Sequence, residues 1–177
     1  MLFYGMQKTS NMDISDVFKK RNLKNINFKY ENLVGKDLSH SFLTGVDLSE
    51  MDIHTANLSG ADLRGANLTR SILFSVNFRG ADLKKANLFE AKLWDADMYG
   101  SDLRGADLRG SDLFNTVLKS SDLTDADLSW AYLKNCDLEG AILDNTEFTN
   151  TKYDKKTFLS ITDSQSKSKL KKQGILW

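Results

Sequence analysis

The chain has 177 residues, the size of one domain, and it carries 24 basic and 24 acidic side chains. Because these charges balance, the total charge favours neither a nucleic acid nor a membrane as a partner. The single cysteine, Cys136, excludes an internal disulfide and fits a reducing compartment. The first residues contain no signal peptide and no long apolar run. A cytoplasmic location is therefore expected, although a mature plastid-lumen protein would lack a targeting signal too.

The first predicted element is a short helix from Ile14 to Lys20, for which Asp13 can serve as the N-cap. Ile14, Val17 and Phe18 fall at positions i, i+3 and i+4 and so form one apolar stripe. The sequence therefore predicts that residues 1–20 contain a leader and a capping helix ahead of the next region.

Residues 21–153 repeat with a period of five. A large apolar residue, here called the centre of each unit, occurs at every fifth position from Leu23 to Phe148, which makes 26 units. The residue two positions before the centre is small from Ala56 to Thr146, and the residue just before the centre is Asp or Asn in 19 of the 26 units. An α-helix or a flat strand would scatter such centres over several faces. A chain that turns a corner after every unit instead points them all to one axis.

A second period of twenty residues shows how many units form one turn of the chain. Four glycines, Gly60, Gly80, Gly100 and Gly140, are separated from one another by multiples of twenty residues. Twenty residues are four units, so each coil has four sides and the centres fill its interior. The 26 units, at four to a coil, predict about six and a half coils and a rod of roughly 31 Å. The structural core centres on one of the four sides are Leu63, Leu83, Leu103 and Leu123.

These units, such as ADLRGANLTR from Ala61 to Arg70, resemble the pentapeptide-repeat family with its pattern A(D/N)LXX. The resemblance covers Leu23 to Tyr153, about three quarters of the chain. It implies an all-β fold, a right-handed quadrilateral parallel β-helix. The residues at the two termini predict short helices that cap it. The stretch YDKKTF, which begins at Tyr153, is also similar to the closing segment of cyanobacterial and chloroplast members.

The last region, residues 154–177, is predicted to be a C-terminal cap. Asp163 can begin a helix that runs through Lys172, and Gly174 can end it before the apolar tail 175–177. The lysines of this region include Lys167, Lys169, Lys171 and Lys172. Because an open solenoid end needs cover, one interpretation is a solvated helix face with a hydrophobic plug on the last coil. The alternative is a contact with an anion or an acidic partner.

The sequence offers no candidate catalytic or metal site. The only histidines are His40 and His54, and no face carries two histidines and a carboxylate at ligand spacing. Cys136 occupies a small inward position that is typical of a core residue. No glycine-rich phosphate loop, nucleophile elbow or CxxC motif is present in the sequence. The prediction is therefore no enzymatic activity, no cofactor, no metal and no small-molecule substrate.

One of the four sides, here called the aromatic side, differs from the others in its outward residues. Its centres are Leu33, Ile53, Leu73, Leu93, Leu113 and Leu133. The residues that follow these centres are Val34, His54, Phe74, Trp94, Phe114 and Lys134, and Ile72 and Tyr132 replace the usual Asp or Asn. Neighbouring coils lie only ~4.8 Å apart, so the rings can stack. The predicted protein-binding residues are His54, Ile72, Phe74, Trp94, Phe114 and Tyr132. The alternative is that the rings stack only to stabilise the rod.

A second side, here called the charged side, is centred on Leu63, Leu83 and Leu103. Its outward acidic residues are Asp62, Asp82, Asp102 and Asp122, and they alternate with Arg64, Lys84 and Arg104. Surface pairs of this kind contribute roughly 0–1 kcal/mol each. We therefore expect a solvated mixed-charge ladder on this side, in which the carboxylates have a structural role.

Two functions follow from these features. The first is a non-enzymatic interaction or scaffold module that binds a protein partner, or a second copy in a homodimer, through the aromatic side. It would bind no nucleic acid directly and no membrane. The alternative is a DNA-mimic regulator of DNA gyrase, because residues 94–153 hold twelve acidic and five basic side chains. The gyrase-protecting branch of the resembled family consists of acidic rods similar to B-form DNA that bind type II topoisomerases.

Overall fold

The computed structural model describes Asn22, Leu23 and residues 26–176. Across residues 36–150, every five-residue unit has the same backbone. One outward residue forms a bridge, the inward centre follows, and a two-residue turn leads to the next unit. The bridges are parallel and join residues twenty positions apart, from Asn22–Phe42 to Tyr132–Lys152. The chain therefore winds as a four-sided parallel β-helix in which each side of a coil is one unit long.

The core is a column of centres flanked by small residues. Leu63, Leu83, Leu103 and Leu123 are completely buried, and so are the small residues next to them, such as Ala61 and Ala81. Burying each leucine contributes about 1.5–3 kcal/mol relative to leaving it in water. Because one coil cannot cover its own open ends, this stability comes from stacking neighbouring coils.

The Asp or Asn before each centre shapes the corner that follows. Its side-chain oxygen accepts a hydrogen bond from the backbone N–H two residues later, as in Asn67 with Thr69 at 3.2 Å and Asp127 with Ser129 at 2.9 Å. The second turn residue then adopts a left-handed backbone conformation. Glycine is frequent there because it adopts a positive φ without strain. Gly60 in addition has little room for a side chain, since a Cβ atom at this position would lie 2.5 Å from the His40 ring.

Two helices and two short strands follow the repeats. Strand β1 (Lys152–Tyr153) is followed by helix α1 (Lys155–Ser160), helix α2 (Ser164–Gln173) and strand β2 (Ile175–Leu176), which pairs with β1 in parallel. Asp163 is the N-cap of α2 and Gly174 its C-cap, at the positions expected from the sequence, whereas α1 was not predicted. The helix predicted from Ile14 to Lys20 lies outside the described residues.

The two described residues of the apolar tail, Ile175 and Leu176, do not form the predicted buried plug. Ile175 and Leu176 are 44% and 63% exposed, because β2 continues the ladder of coils as an outer strand. The buried apolar residues of the two helices are Leu170 and the C-cap of α1, Ile161. Neither α1 nor α2, the helices that the structure describes, has the length and apolar character that crossing a membrane requires.

Cys136 connects the last complete coil to α1. Its side chain is completely buried, and its backbone N–H donates to Thr157 Oγ1 at 3.1 Å, while that hydroxyl donates to the Leu133 carbonyl. Burial raises the pKa of the Cys136 thiol. The thiol is therefore neutral and inert, which agrees with its assignment as a core residue.

Candidate functional site: the aromatic side

The aromatic column stands on a corner of the rod. Phe74, Trp94 and Phe114 each occupy the first position of the turn that follows a centre of the aromatic side. The backbone carbonyls of Trp94 and Phe114 accept hydrogen bonds of 2.9 and 3.1 Å from the residues that follow Phe74 and Trp94. Each ring is thus fixed in register with the ring one coil away, but it projects from an edge rather than from the flat side.

Two of these rings stack. The centroids of Phe74 and Trp94 are 4.9 Å apart and the ring planes differ by 20°. Among the described residues, Phe114 takes no part in a ring stack, so the column predicted from the sequence is stacked only in its middle. Trp94 and Phe114 nevertheless remain 42% and 38% exposed.

The His54 side chain is hydrogen-bonded to a carboxylate. Its Nδ1 atom lies 2.7 Å from Asp52 Oδ1 on the same coil. This hydrogen bond from the imidazole lowers the pKa of the Asp52 carboxyl. His54 was expected to extend the ring stack towards the N-terminus, but its ring is engaged by Asp52 instead.

Ile72 and Tyr132 occupy the flat part of the aromatic side. Each takes the bridging position that is Asp or Asn in most units, and each is partly buried. Ile72 bridges Asp52 and Lys92, whereas Tyr132 bridges Asp112 and Lys152. The flat part of this side is therefore an outward strip in which apolar and charged residues mix.

The structure adds an aromatic residue that sequence reasoning missed. Trp130 is 65% exposed and lies in the turn just before the aromatic side, two residues ahead of Tyr132. Its φ of 65° is left-handed, a conformation that bulky residues rarely adopt. The signal in the sequence was a tryptophan at a turn position where glycine and asparagine are frequent. We call the following set the aromatic site: His54, Ile72, Phe74, Trp94, Phe114, Trp130 and Tyr132.

Two other surface aromatics, Tyr99 and Phe89, lie beside arginines. The Arg79 guanidinium lies 4.5 Å from the ring centroid of Tyr99, and that of Arg109 lies 5.6 Å from the centroid of Phe89. Such cation–π contacts are worth about 0.5–1 kcal/mol at exposed positions. These rings therefore have partners within the rod.

The charged side is a continuous ladder of ion pairs. Arg64 binds Asp62 at 2.6 Å and approaches Asp82 at 3.8 Å. Lys84 then joins Asp82 to Asp102 at 3.0 and 2.9 Å. The hydrogen bond from Arg64 lowers the pKa of Asp62 to about 2. These carboxylates are engaged in holding neighbouring coils together.

The ligand-type side chains of the described residues form no metal-binding cluster. Among residues 26–176, no group of three or more His, Cys, Asp and Glu side chains is placed to hold a metal ion. The carboxylates stand on flat sides and diverge, whereas a Ca²⁺ site needs several oxygens that converge.

Comparisons with known proteins agree with this architecture. The pentapeptide-repeat family profile matches residues 22–60, 52–88, 81–119 and 121–152, with 8 copies. No curated protein matches the sequence.

Among solved structures, the chain resembles the pentapeptide-repeat protein Rfr23 from the cyanobacterium Cyanothece 51142. The identity is 24%, the TM-score is 0.53, and the match covers 81% of this chain and 94% of Rfr23. It also resembles trypsin-treated QnrB1, a plasmid-mediated fluoroquinolone resistance protein. The identity is 20%, the TM-score is 0.56, and the match covers 70% of this chain and 66% of the QnrB1 chain. Proteins of this kind are right-handed quadrilateral β-helices and are generally non-enzymatic structural or interaction proteins. The repeat pattern, the bridges between residues twenty positions apart and the match to the family profile agree with one another. Together they show that the chain belongs to the pentapeptide-repeat family.

Proposed function

We propose that this chain is a non-enzymatic interaction or scaffold module that binds a protein partner, or a second copy of itself, through the aromatic site. The observation that carries the proposal is the exposure of Trp94, Phe114 and Trp130 on and beside one side of the rod. Large exposed aromatic surface on a small protein marks an interaction site more often than a solvated face. Tryptophan and tyrosine are also the residues that most often dominate binding energy in protein interfaces.

Ring stacking for stability accounts for only part of this surface. It explains Phe74 with Trp94, but not Phe114 or Trp130, for which the described residues provide no stacking partner. Trp130 in addition adopts a left-handed conformation, which costs of order 1–3 kcal/mol for a residue other than glycine. The second turn residue of the other units has the same conformation, so the support for binding comes from the exposure of the Trp130 ring, which is 65%.

The rod also presents these side chains rigidly. The backbone of each turn is hydrogen-bonded to the next coil, as Ser75 N–H is to Trp94 O at 2.9 Å. A preformed binding surface loses less conformational entropy on association than a flexible loop does. This supports a rod that acts as a fixed docking surface.

The DNA-mimic alternative has weaker support. Seven of the twelve acidic side chains in residues 94–153 lie within 4.0 Å of a lysine or arginine. They are Asp97, Asp102, Asp107, Asp122, Asp127, Glu139 and Glu147. Internal pairing of this kind reduces the negative potential that a DNA mimic must present. Protection of gyrase in a supercoiling assay with a quinolone would reverse this ranking.

The proposal is tested by comparing Trp94→Asp with Phe42→Asp. Phe42 is 56% exposed and lies on the charged side at a bridging position next to Asp62, so aspartate there restores the usual residue of the repeat. Association is measured by sedimentation for self-association and by affinity capture for a partner, and circular dichroism reports folding.

We expect Trp94→Asp to abolish association with little change in folding, and Phe42→Asp to retain it. Equal association of both variants would contradict the proposal. Loss of folding in Trp94→Asp alone would instead favour a purely structural role for the ring.

A further inference from the structure

The outward column on the flat part of the aromatic side is complementary to its own reversal. Bridges join its members coil by coil, in the order Asp52, Ile72, Lys92, Asp112, Tyr132 and Lys152. The order reads negative, apolar, positive, and then negative, apolar, positive again. When a reversed copy of the column is laid against it, each aspartate therefore meets a lysine and Ile72 meets Tyr132.

A two-fold axis produces this reversal when two rods pack with their aromatic sides face to face. The axis lies in the plane of the contact, at right angles to the rods, so the rods run in opposite directions and each column faces the same column of the second copy. With the axis between the coils of Lys92 and Asp112, Lys92 faces Asp112 of the second copy. Asp52 then faces Lys152, and every pair occurs twice.

The two central charges are available for such a contact. Lys92 is exposed and Asp112 is partly buried. Among the described residues, neither forms an ion pair within the rod, whereas the carboxylates of the charged side are paired from coil to coil. Asp112 Oδ1 accepts a hydrogen bond from the Phe114 N–H at 3.2 Å, which leaves Oδ2 for a cation.

Other two-fold arrangements close to this one bring like charges together. If the rods ran in the same direction, each member of the column would face its own copy, so that Lys92 would meet Lys92 and Asp112 would meet Asp112. Moving the antiparallel axis by half a coil towards either end has the same effect on one of these two residues. Like charges that face each other disfavour an interface, so the pattern selects one direction and one register.

The corner column that follows the centres fits the same operation. Reversal places Trp94 opposite Phe114 of the second copy, and Phe74 opposite Lys134. Among the described residues, Phe114 takes part in no ring stack, and the contact gives it an aromatic partner. Lys134, which is exposed, gains the face of a ring.

The corner column that precedes the aromatic side agrees as well. It contains Arg70, Glu90, Gly110 and Trp130, and reversal places Trp130 opposite Arg70 of the second copy. The Arg70 guanidinium binds Glu90 at 2.7 Å, which holds it on this corner. A tryptophan ring that is 65% exposed thereby meets an arginine, the cation that most often lies over such rings.

We infer that the aromatic side binds a second copy of this chain, in an antiparallel two-fold dimer whose axis passes between the coils of Lys92 and Asp112. The inference rests on the proposed function and names the partner of the same site. The flat column supplies charge complementarity and a central apolar pair, and the exposed rings flank it on both corners.

The test uses two charge reversals in the full-length protein, Lys92→Glu and Asp112→Lys. Each variant alone places like charges at both central contacts. We expect its dimer dissociation constant, measured by sedimentation equilibrium, to rise at least about tenfold. In an equimolar mixture of the two variants, opposite charges meet again at both contacts, so we expect association close to that of the wild type. The chain that carries both reversals should also dimerise.

Lys85→Glu is the matched control. Lys85 is exposed on a corner away from the aromatic side, and glutamate is tolerated there because Glu50 and Glu90 occupy equivalent left-handed turn positions. We expect this variant to dimerise like the wild type. Circular dichroism reports the folding of each variant, and recovery in the mixture shows in addition that both single variants are folded.

A wild-type protein that stays monomeric at millimolar concentration would overturn the inference. The proposed function would still stand in that case if capture of another protein depends on Trp94. A dimer that neither charge reversal weakens would also overturn the inference. Loss of association in both variants without recovery in the mixture or in the doubly reversed chain would exclude the antiparallel arrangement.

Discussion

The ring of Phe74 lies on the ring of Trp94, 4.9 Å away between centroids, although the two residues are twenty positions apart in the sequence. Nothing local brings them together. The contact exists because four units complete one coil, so that corners of successive coils fall into columns. The same rule builds every outward column of the rod.

The stack should contribute measurably to stability. In a double-mutant cycle of Phe74→Ala and Trp94→Ala, we expect a coupling of about 0.5–1.5 kcal/mol in the free energy of unfolding, measured with urea. As a control, Trp94→Ala and Phe42→Ala should be additive within about 0.5 kcal/mol, because these residues lie on different sides. A coupling near zero in the first cycle would mean that the rings do not interact in solution.

The interior should not tolerate a larger residue at a small position. Ala106 is 1% exposed beside the axis, so Ala106→Leu forces extra methylene groups into a filled core. We expect a loss of about 1–3 kcal/mol or more in the free energy of unfolding. Thr149→Leu, at an exposed corner, should change it by less than about 0.5 kcal/mol. Similar effects of both changes would show that the axis has spare volume.

Stability should fall in acid as Asp62 becomes protonated. Hydrogen bonding to Arg64 lowers the pKa of Asp62 to about 2, below the usual value of roughly 4 in an unfolded chain. A lowered folded-state pKa gives stability that is present above the unfolded pKa and is lost as the pH falls through the folded one. The loss should therefore occur between about pH 4 and pH 2.

Urea unfolding at pH values across this window measures the loss. Arg64→Gln removes the main cause of the lowered pKa, so we expect its stability at neutral pH to be lower and its acid-induced loss smaller. An unchanged acid dependence in Arg64→Gln would show that the pair has no effect on folding.

Replacing Trp130 should weaken association without lowering the stability of the fold. Trp130→Asn keeps the left-handed conformation with a residue that tolerates it, as Asn115, Asn135 and Asn145 do at equivalent turns. We expect the free energy of unfolding to stay the same or rise by up to about 1 kcal/mol, while association through the aromatic site weakens. A destabilised variant would indicate that the tryptophan packs against the rod.

The sequence period determines the interior and the columns but not the rotamers on the surface. The spacing of twenty was sufficient to place Phe74 next to Trp94, because register depends only on counting units. His54 was expected in the same column, yet its ring binds Asp52 at 2.7 Å. The choice between a neighbouring ring and a nearby carboxylate depends on side-chain geometry, about which the repeat carries no information.

The ends were predicted less well than the middle for a related physical reason. The repeat predicts cover for the last coil, and α2 occurs where Asp163 and Gly174 indicated. The tail was expected to be buried, but Ile175 and Leu176 continue the ladder by pairing with β1, and both remain exposed. At an end, strand pairing competes with burial, and composition alone does not decide between them.

The twenty-residue register also limits how such a rod can change in length during evolution. Deleting one unit between Phe74 and Trp94 would leave every leucine on the axis, so the rod would still fold. All later residues would nevertheless rotate by a quarter turn, and Trp94 would leave the corner that it shares with Phe74. Only insertions or deletions of whole coils keep both the interior and the pattern of surface residues.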